Sequence, residues 1–301
     1  MPLPNPVMTP LPAAVRPLPV VPRTVTMVAT MVVPLMATLM AGCASPGADE
    51  APDPPPVAMK HQVVAALGDG HLVRFNAGDP ARPKHRVALQ GLQPGETLVG
   101  VDFRVARGVL YALSSRGRLL TVDVASGRLT PVGPGVVLDG SRFGVDFNPT
   151  VDRLRVVSDR GQNLRLHPDT GALVSADPAL SATGPVAVTA AGYTYNKAND
   201  KLTTNYAIDA GAGLLVRQGS VEGVQPMVSP NTGRIEVVGP LGTGPVADAS
   251  LDIADTDNTA LAALTTGSRT RLVRIDLASG RAQVLGTLAR GVPVWGIAIE
   301  P

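Results

Sequence analysis

Gly100-Val101-Asp102-Phe103 returns further along the chain as Gly144-Val145-Asp146-Phe147, in each case behind an apolar residue, Val99 or Phe143. A weaker copy is Ala191-Gly192-Tyr193-Thr194-Tyr195, a fourth is Ala249-Ser250-Leu251-Asp252-Ile253, and a fifth is Trp295-Gly296-Ile297-Ala298-Ile299. The second residue of the unit stands at 100, 144, 192, 250 and 296. A repeat of about 40–50 residues built from short strands is the signature of a propeller blade.

The residues after each copy follow one order. Behind the first come Val109-Leu110-Tyr111-Ala112-Leu113, then Leu119-Leu120-Thr121-Val122-Asp123, the turn Ala125-Ser126-Gly127, and Leu129-Thr130-Pro131-Val132-Gly133. The turn recurs as Asp169-Thr170-Gly171, Asn231-Thr232-Gly233 and Ala278-Ser279-Gly280. Gly takes a positive φ at little cost, and Ser, Thr or Asp caps local N–H groups, so these are hairpin turns. Each unit then makes four strands. The last copy stops after one strand, at Ile299, and the first folded segment, from His61 to Gln90, has three strands and no leading one. The two ends complete one blade, which removes the free sheet edges that invite aggregation.

The sequence therefore predicts an all-β fold, a β-propeller of about five four-stranded blades closed by the C-terminal strand. The expected blades are 61–90 with 295–299, then 100–133, 144–176, 191–239 and 250–286. The long interval between 192 and 250 leaves room for an insertion or a divided blade. A sandwich does not explain the repeat, and an open solenoid has no need of complementary ends.

Ahead of the repeats lies a different kind of sequence. Residues 1–23 are Pro-rich with Arg16 and Arg23, and Thr24 to Gly42 is uncharged and mostly apolar. The apolar run ends in Leu39-Met40-Ala41-Gly42-Cys43, which resembles a bacterial lipobox. Small residues before the cysteine suit a signal peptidase, and Cys43 is the only cysteine of the chain, so it has no disulfide partner within it. The expectation is a lipoprotein signal peptide over 1–42, lipid on Cys43, a Pro-rich tether over 43–60 and the propeller over 61–301. The alternative is an uncleaved membrane helix, against which Pro34 and the small-residue end argue. Export to the cell membrane follows, and to the outer membrane in a Gram-negative cell, since Ala44 rather than Asp follows the cysteine.

The stretch Phe143-Gly144-Val145-Asp146-Phe147-Asn148-Pro149-Thr150-Val151-Asp152-Arg153-Leu154-Arg155-Val156-Val157-Ser158, continuing to Gly171, resembles a bacterial family known only as domain of unknown function 4394. Gly100-Val101-Asp102-Phe103, Leu110-Tyr111-Ala112-Leu113 and Val238-Gly239-Pro240-Leu241-Gly242 are similar to the same family. The resemblance runs over about residues 65–299. It implies a propeller-like, usually exported protein and supplies no reaction. The polar Leu202-Thr203-Thr204-Asn205-Tyr206 departs from the pattern.

Chemistry-bearing motifs are few. The formal net charge is +2 and no basic stripe is present, so a nucleic-acid partner is not expected. None of the four histidines has metal-ligand spacing, and no nucleophile elbow or phosphate loop occurs. His167 takes the turn position that Asp123 and Asp276 fill in sister blades, which suggests turn capping. Trp295, beside the closing strand, reads as a core plug more than a stacking platform.

Two sets of residues remain as site candidates. Asp102, Asp146 and Asp252 share one repeat position, and matching positions of a propeller converge on one axis. They can ring a channel and hold Ca²⁺, or each can cap a turn or pair with an Arg. Arg153, Arg155, Asp159, Asn163 and Arg165 form the densest polar cluster and break the blade symmetry. Arg153 and Arg155 share one strand face and can clamp a carboxylate or phosphate, or join an inter-blade network. The sequence points to a tethered, non-catalytic binding or scaffold module with an unknown protein or small-molecule ligand. A metal-dependent hydrolase or lactonase-like enzyme with its site in the central channel is the alternative.

Overall fold

The structure is a computed structural model and describes residues 51–301. Residues 1–42, expected to be a signal peptide, and Cys43 lie outside the described residues. Twenty strands form five four-stranded antiparallel sheets. Blade 1 contains β1 (Gln62–Leu67), β2 (His71–Asn76) and β3 (His85–Ala88). Blade 2 contains β4 (Leu98–Arg104), β5 (Val109–Ser114), β6 (Leu119–Val122) and β7 (Leu129–Val132). Blade 3 contains β8 (Phe143–Asn148), β9 (Arg153–Ser158), β10 (Asn163–Leu166) and β11 (Leu173–Ala176). Blade 4 contains β12 (Val188–Tyr193), β13 (Asn205–Asp209), β14 (Leu214–Gln218) and β15 (Ile235–Pro240). Blade 5 contains β16 (Asp248–Ile253), β17 (Ala260–Thr266), β18 (Arg269–Ile275) and β19 (Ala282–Arg290).

The closing strand β20 (Val294–Ile299) pairs antiparallel with β1, Val63 opposite Ile299 and Ala65 opposite Ile297. It supplies the fourth strand of blade 1, in the order β20-β1-β2-β3. The inner strands β4, β8, β12, β16 and β20 contact one another in sequence and complete a ring. The long fourth unit is a single blade. Its extra residues lie in the connections from β12 to β13 and from β14 to β15, the second holding a single-turn 3-10 helix, Pro230–Thr232.

Apolar packing is divided among the seams between blades. One buried cluster joins Val64 and Leu72 of blade 1 to Val101 and Phe103 of blade 2. Others join Leu113 to Phe147, Ile208 to Leu251, and Leu261 to Phe75. The seam between blades 3 and 4, around Val157, Ala191 and Val216, holds the smallest cluster.

The repeated glycine has a packing cause. A Cβ on Gly144 would sit 2.5 Å from the Ala190 carbonyl carbon and 2.6 Å from the Ala191 nitrogen, both backbone atoms of the next inner strand. The glycine lets two inner strands approach closely around the axis. Gly144→Ala is expected to cost about 3 kcal/mol in urea denaturation, from overpacking against atoms that cannot rotate away. Gly184→Ala, where nothing lies within 4 Å of the added carbon, is expected to stay within about 0.5 kcal/mol of the wild type. Equal effects at the two positions would refute the close-approach account.

The repeated turns are capped by side chains. Asp123 Oδ1 accepts from the amides of Ala125 (3.0 Å) and Ser126 (2.8 Å), and Asp276 Oδ1 from Ala278 (2.8 Å). In blade 3 the ring of His167 takes that role, its Nδ1 accepting from the Asp169 amide at 3.2 Å. Gly280, with φ +82°, completes the blade 5 turn in a conformation open to glycine.

Ordered contacts begin ahead of β1. Ala51 O accepts from Arg269 Nη1 (2.7 Å) and Arg271 Nη2 (2.9 Å), and Asp53 Oδ1 from Arg269 Nη2 (2.5 Å) and Thr287 Oγ1 (3.0 Å). Further on, Val57 N donates to Gly78 O and Asn76 Nδ2 to Met59 O. Residues 51–60, Pro-rich and expected to be tether, thus run along blades 5 and 1. Among the described residues no helix is long and apolar enough to cross a membrane.

Candidate functional site

The three repeated aspartates meet. Asp102 on β4, Asp146 on β8 and Asp252 on β16 are each buried, and one carboxylate oxygen from each lies within 4.8 Å of the others. Each also reaches the neighbouring inner strand. Asp102 Oδ2 accepts from Phe147 N (2.7 Å), Asp146 Oδ1 from Tyr193 N (3.1 Å) and Asp252 Oδ2 from Ile299 N (2.5 Å). Those amides sit on inner-strand edges and have no fifth strand to pair with, so the carboxylates satisfy them.

Blades 4 and 1 carry Thr194 and Ala298 at the same repeat position. Where blade 4 meets blade 5, Asn258 does the bridging instead. Its Oδ1 accepts from Tyr195 N (2.7 Å) and its Nδ2 donates to Tyr195 O (3.0 Å). Asn258 has φ +57°, a backbone conformation that Asn tolerates better than most residues.

Three carboxylates this close cannot all be charged without a counter-charge. Burial, then the charge of Asp252, pushes Asp102 well above the ordinary carboxylate range. Burial, then Asp102 and Asp252, does the same to Asp146. Asp252 is raised to about 6 by burial, against the pull of the Ile299 and Ile253 amides. The phenol of Tyr195 is driven far up, first by burial and then by these three carboxylates and Asp255.

A cleft of about 300 Å³ opens where the inner strands end. Arg104 and Asn148, the last residues of β4 and β8, line it with Phe147, Tyr195, Lys197 and Asp255. Arg104 is buried and its fork is filled by Asp152 (Nε to Oδ1, 2.9 Å) and Asp169. Tyr195 and Asp255 line this cleft, and both lie close enough to the carboxylates to share their electrostatic field. Tyr195 occupies the repeat at the point where its pattern weakens, and nothing in the sequence singled out Asp255.

The second candidate set is only partly brought together. Arg155, 1% exposed, donates through Nε to Tyr193 Oη (2.6 Å), through Nη2 to Asn231 Oδ1 (2.5 Å) and through Nη1 to Asn163, and pairs with Asp177 at 3.3 Å. Arg165 clamps Asp177 with two bonds of 2.8 Å. Burial pushes Asp177 up, but hydrogen bonds from Arg165 and Ser175 and the two guanidinium charges outweigh it and hold the carboxyl low. Arg153 and Asp159 lie outside this network. Arg153 Nη1 donates to the carbonyls of Val151 and Asp152, and Asp159 accepts from the amide and hydroxyl of Ser141. Arg155, Asn163 and Arg165 thus join blade 3 to blade 4 across the seam with the smallest apolar cluster.

A family model matches residues 71–298, from the second strand of blade 1 to the closing strand. The chain belongs to the family designated domain of unknown function 4394. No curated protein matches it. Among solved structures, this member of domain of unknown function 4394 is similar to the glutaminyl cyclase of Myxococcus xanthus. That likeness has a TM-score of 0.43 and 18% identity, over 68% of this chain and 83% of that one.

Proposed function

We propose that the protein is an exported, lipid-tethered propeller that works as a binding or scaffold module and carries one Ca²⁺ on its axis. The observation that carries the cation is the convergence of Asp102, Asp146 and Asp252 within 4.8 Å. Oxygens on opposite sides of a Ca²⁺, each at about 2.3–2.6 Å, lie about 5 Å apart, so one ion reaches all three. The ion supplies the counter-charge that the cluster lacks and ties three blades together. It accounts for three acids at one buried position better than the bridging of inner-strand amides alone, which a neutral Asn performs between blades 4 and 5.

The tether rests on the lipobox at Leu39–Cys43. An acyl chain on Cys43 holds the domain at the membrane, and the ligand, a protein or a small molecule, meets it there. Palmitate incorporation by the wild-type chain and its loss in Cys43→Ala is the expected result.

Elemental analysis of the purified full chain tests the ion. One equivalent of calcium, removed by chelator with a lower melting temperature, is expected. A metal-free protein whose melting ignores both Ca²⁺ and chelator would sink the reading. A second reading, a metal-dependent hydrolase or lactonase-like enzyme, draws on the cleft beside the carboxylates and on Tyr195 and Asp255 within it. Ester or lactone turnover that needs Ca²⁺ and is lost in Asp146→Asn would favour it.

A further inference from the structure

The channel has a second mouth, where the inner strands begin. Leu98, Phe143, Asp248 and Val294, the first residues of β4, β8, β16 and β20, line one cavity of about 180 Å³ together with Arg142 and Trp295. An adjoining cleft of about 320 Å³ shares Arg142, Asp248 and Val294 with it. Neither lies at the mouth below which the carboxylate cluster sits.

Polar side chains at this mouth keep hydrogen-bonding capacity unused. Buried or half-buried guanidiniums elsewhere are engaged at hydrogen-bond distance, as Arg104 is with Asp152, Arg118 with Glu96 (2.8 Å) and Arg165 with Asp177. Arg142 Nε stands 3.9 Å from Asp248 Oδ1, beyond hydrogen-bond length, and both side chains are close to half exposed, 45% and 42%. Asp248 Oδ1 accepts the Ala249 amide at 2.9 Å. Ser250 Oγ accepts from Ile297 N (3.0 Å), so its own hydrogen stays available inside the cavity. The indole of Trp295, half-buried against the seam of blades 1 and 2, forms a wall.

We infer that this mouth binds a free α-amino acid, its carboxylate on Arg142 and its ammonium on Asp248. The argument is one of charge. A guanidinium and a carboxylate side by side present opposite charges a few ångströms apart, and so does an amino acid, whose two charged groups share one carbon. A ligand with a single charge meets one partner and one like charge. A zwitterion meets two partners. The adjoining cleft leaves room for the side chain of the ligand. Desolvation, with a smaller push from the nearby Asp159 carboxylate, raises Asp248 to about 6 against the pull of the Ala249 amide and Arg142, so the carboxylate is largely ionised at neutral pH.

Trp295 is the only tryptophan of the chain, so its emission reports on this mouth alone. The test is a titration of the full chain with each of the twenty L-amino acids, read by tryptophan emission and by calorimetry. Butylamine and butyrate serve as singly charged analogues. The expected result is saturable binding by at least one amino acid and by neither analogue. Arg142→Gln and Asp248→Asn are each expected to weaken it at least about tenfold, the loss of one charge-assisted contact. Both side chains are half exposed, and unchanged melting of the variants shows that they fold. No heat and no emission change at millimolar amino acid, equal binding of an analogue, or wild-type affinity in both variants would overturn the inference.

Discussion

Stripped of divalent cations, the protein is expected to melt lower at pH 7.5 than at pH 5, and Ca²⁺ is expected to restore it. Asp102, Asp146 and Asp252 are all raised in the folded state, and Asp252 reaches about 6 against an ordinary 3.8. A carboxyl whose pKa rises on folding binds its proton more tightly in the native chain. Its stabilising effect is present in full below the unfolded value and is lost as pH climbs through the folded one. The window is therefore about pH 4 to 7. A shift of about two units at Asp252 corresponds to about 3 kcal/mol, or roughly 6–12 °C for a domain of this size. Asp248, also raised to about 6, adds a smaller loss of the same sign because its side chain is half exposed. The lowered carboxylates, Glu96 at about 2 among them, act in the opposite sense and only below about pH 4.5.

A cation reverses the loss by binding the native state alone. Asp146→Asn separates the two causes. The amide oxygen still accepts from Tyr193 N, but one of the clustered charges is gone. In chelator at pH 7.5 this variant is expected to melt above the wild type, and with Ca²⁺ to gain less than the wild type gains. Melting curves at two pH values, with Ca²⁺ and with chelator, give all the comparisons. A variant that melts like the wild type in chelator, with an undiminished Ca²⁺ response, would show that Asp146 serves only as a hydrogen-bond acceptor.

The repeat was legible because each of its residues answers a need that recurs in every blade. Gly144 clears the next inner strand, and Asp146 satisfies that strand's edge amide. Blade 4 is faint for the same reason. Thr194 replaces the Asp, and the bridging passes to Asn258, 63 residues from Tyr195. Such a substitution leaves no periodic trace. The Pro-rich composition of residues 51–60 gave no sign of docking, because the groups that hold them, Arg269 and Thr287, lie more than 200 residues away. In the polar cluster of blade 3, strand alternation placed Arg153 and Arg155 on one strand. It could not supply Tyr193 and Asn231, which approach Arg155 from 38 and 76 residues along the chain. The second mouth is illegible in the sequence, since Arg142, Asp248 and Trp295 come from three blades and only Trp295 stands out there, as a core plug.

Arg155→Met is expected to destabilise the fold by about 3–5 kcal/mol, the cost of removing one partner from a buried ionic network. Methionine fills much of the volume, so the loss is chiefly polar. Tyr193 Oη, Asn231 Oδ1 and Asn163 Oδ1 each lose a donor, and Asp177, itself buried, keeps Arg165 but loses a second positive charge. The apolar cluster at this seam is the smallest of the five, so little else holds blade 3 to blade 4. Arg153→Ala, which removes two donations to nearby carbonyls, is expected to cost under about 1 kcal/mol. Tyr193→Phe removes only the hydroxyl and is expected to cost about 1–3 kcal/mol. A double-mutant cycle between Arg155 and Tyr193 is expected to show a coupling of about 1 kcal/mol or more. Urea denaturation of the four variants measures every leg. If Arg155→Met unfolds no more easily than Arg153→Ala, the guanidinium is not a fastener between blades. Its polar environment would then have to serve a ligand, the clamp that the sequence leaves open beside an inter-blade network.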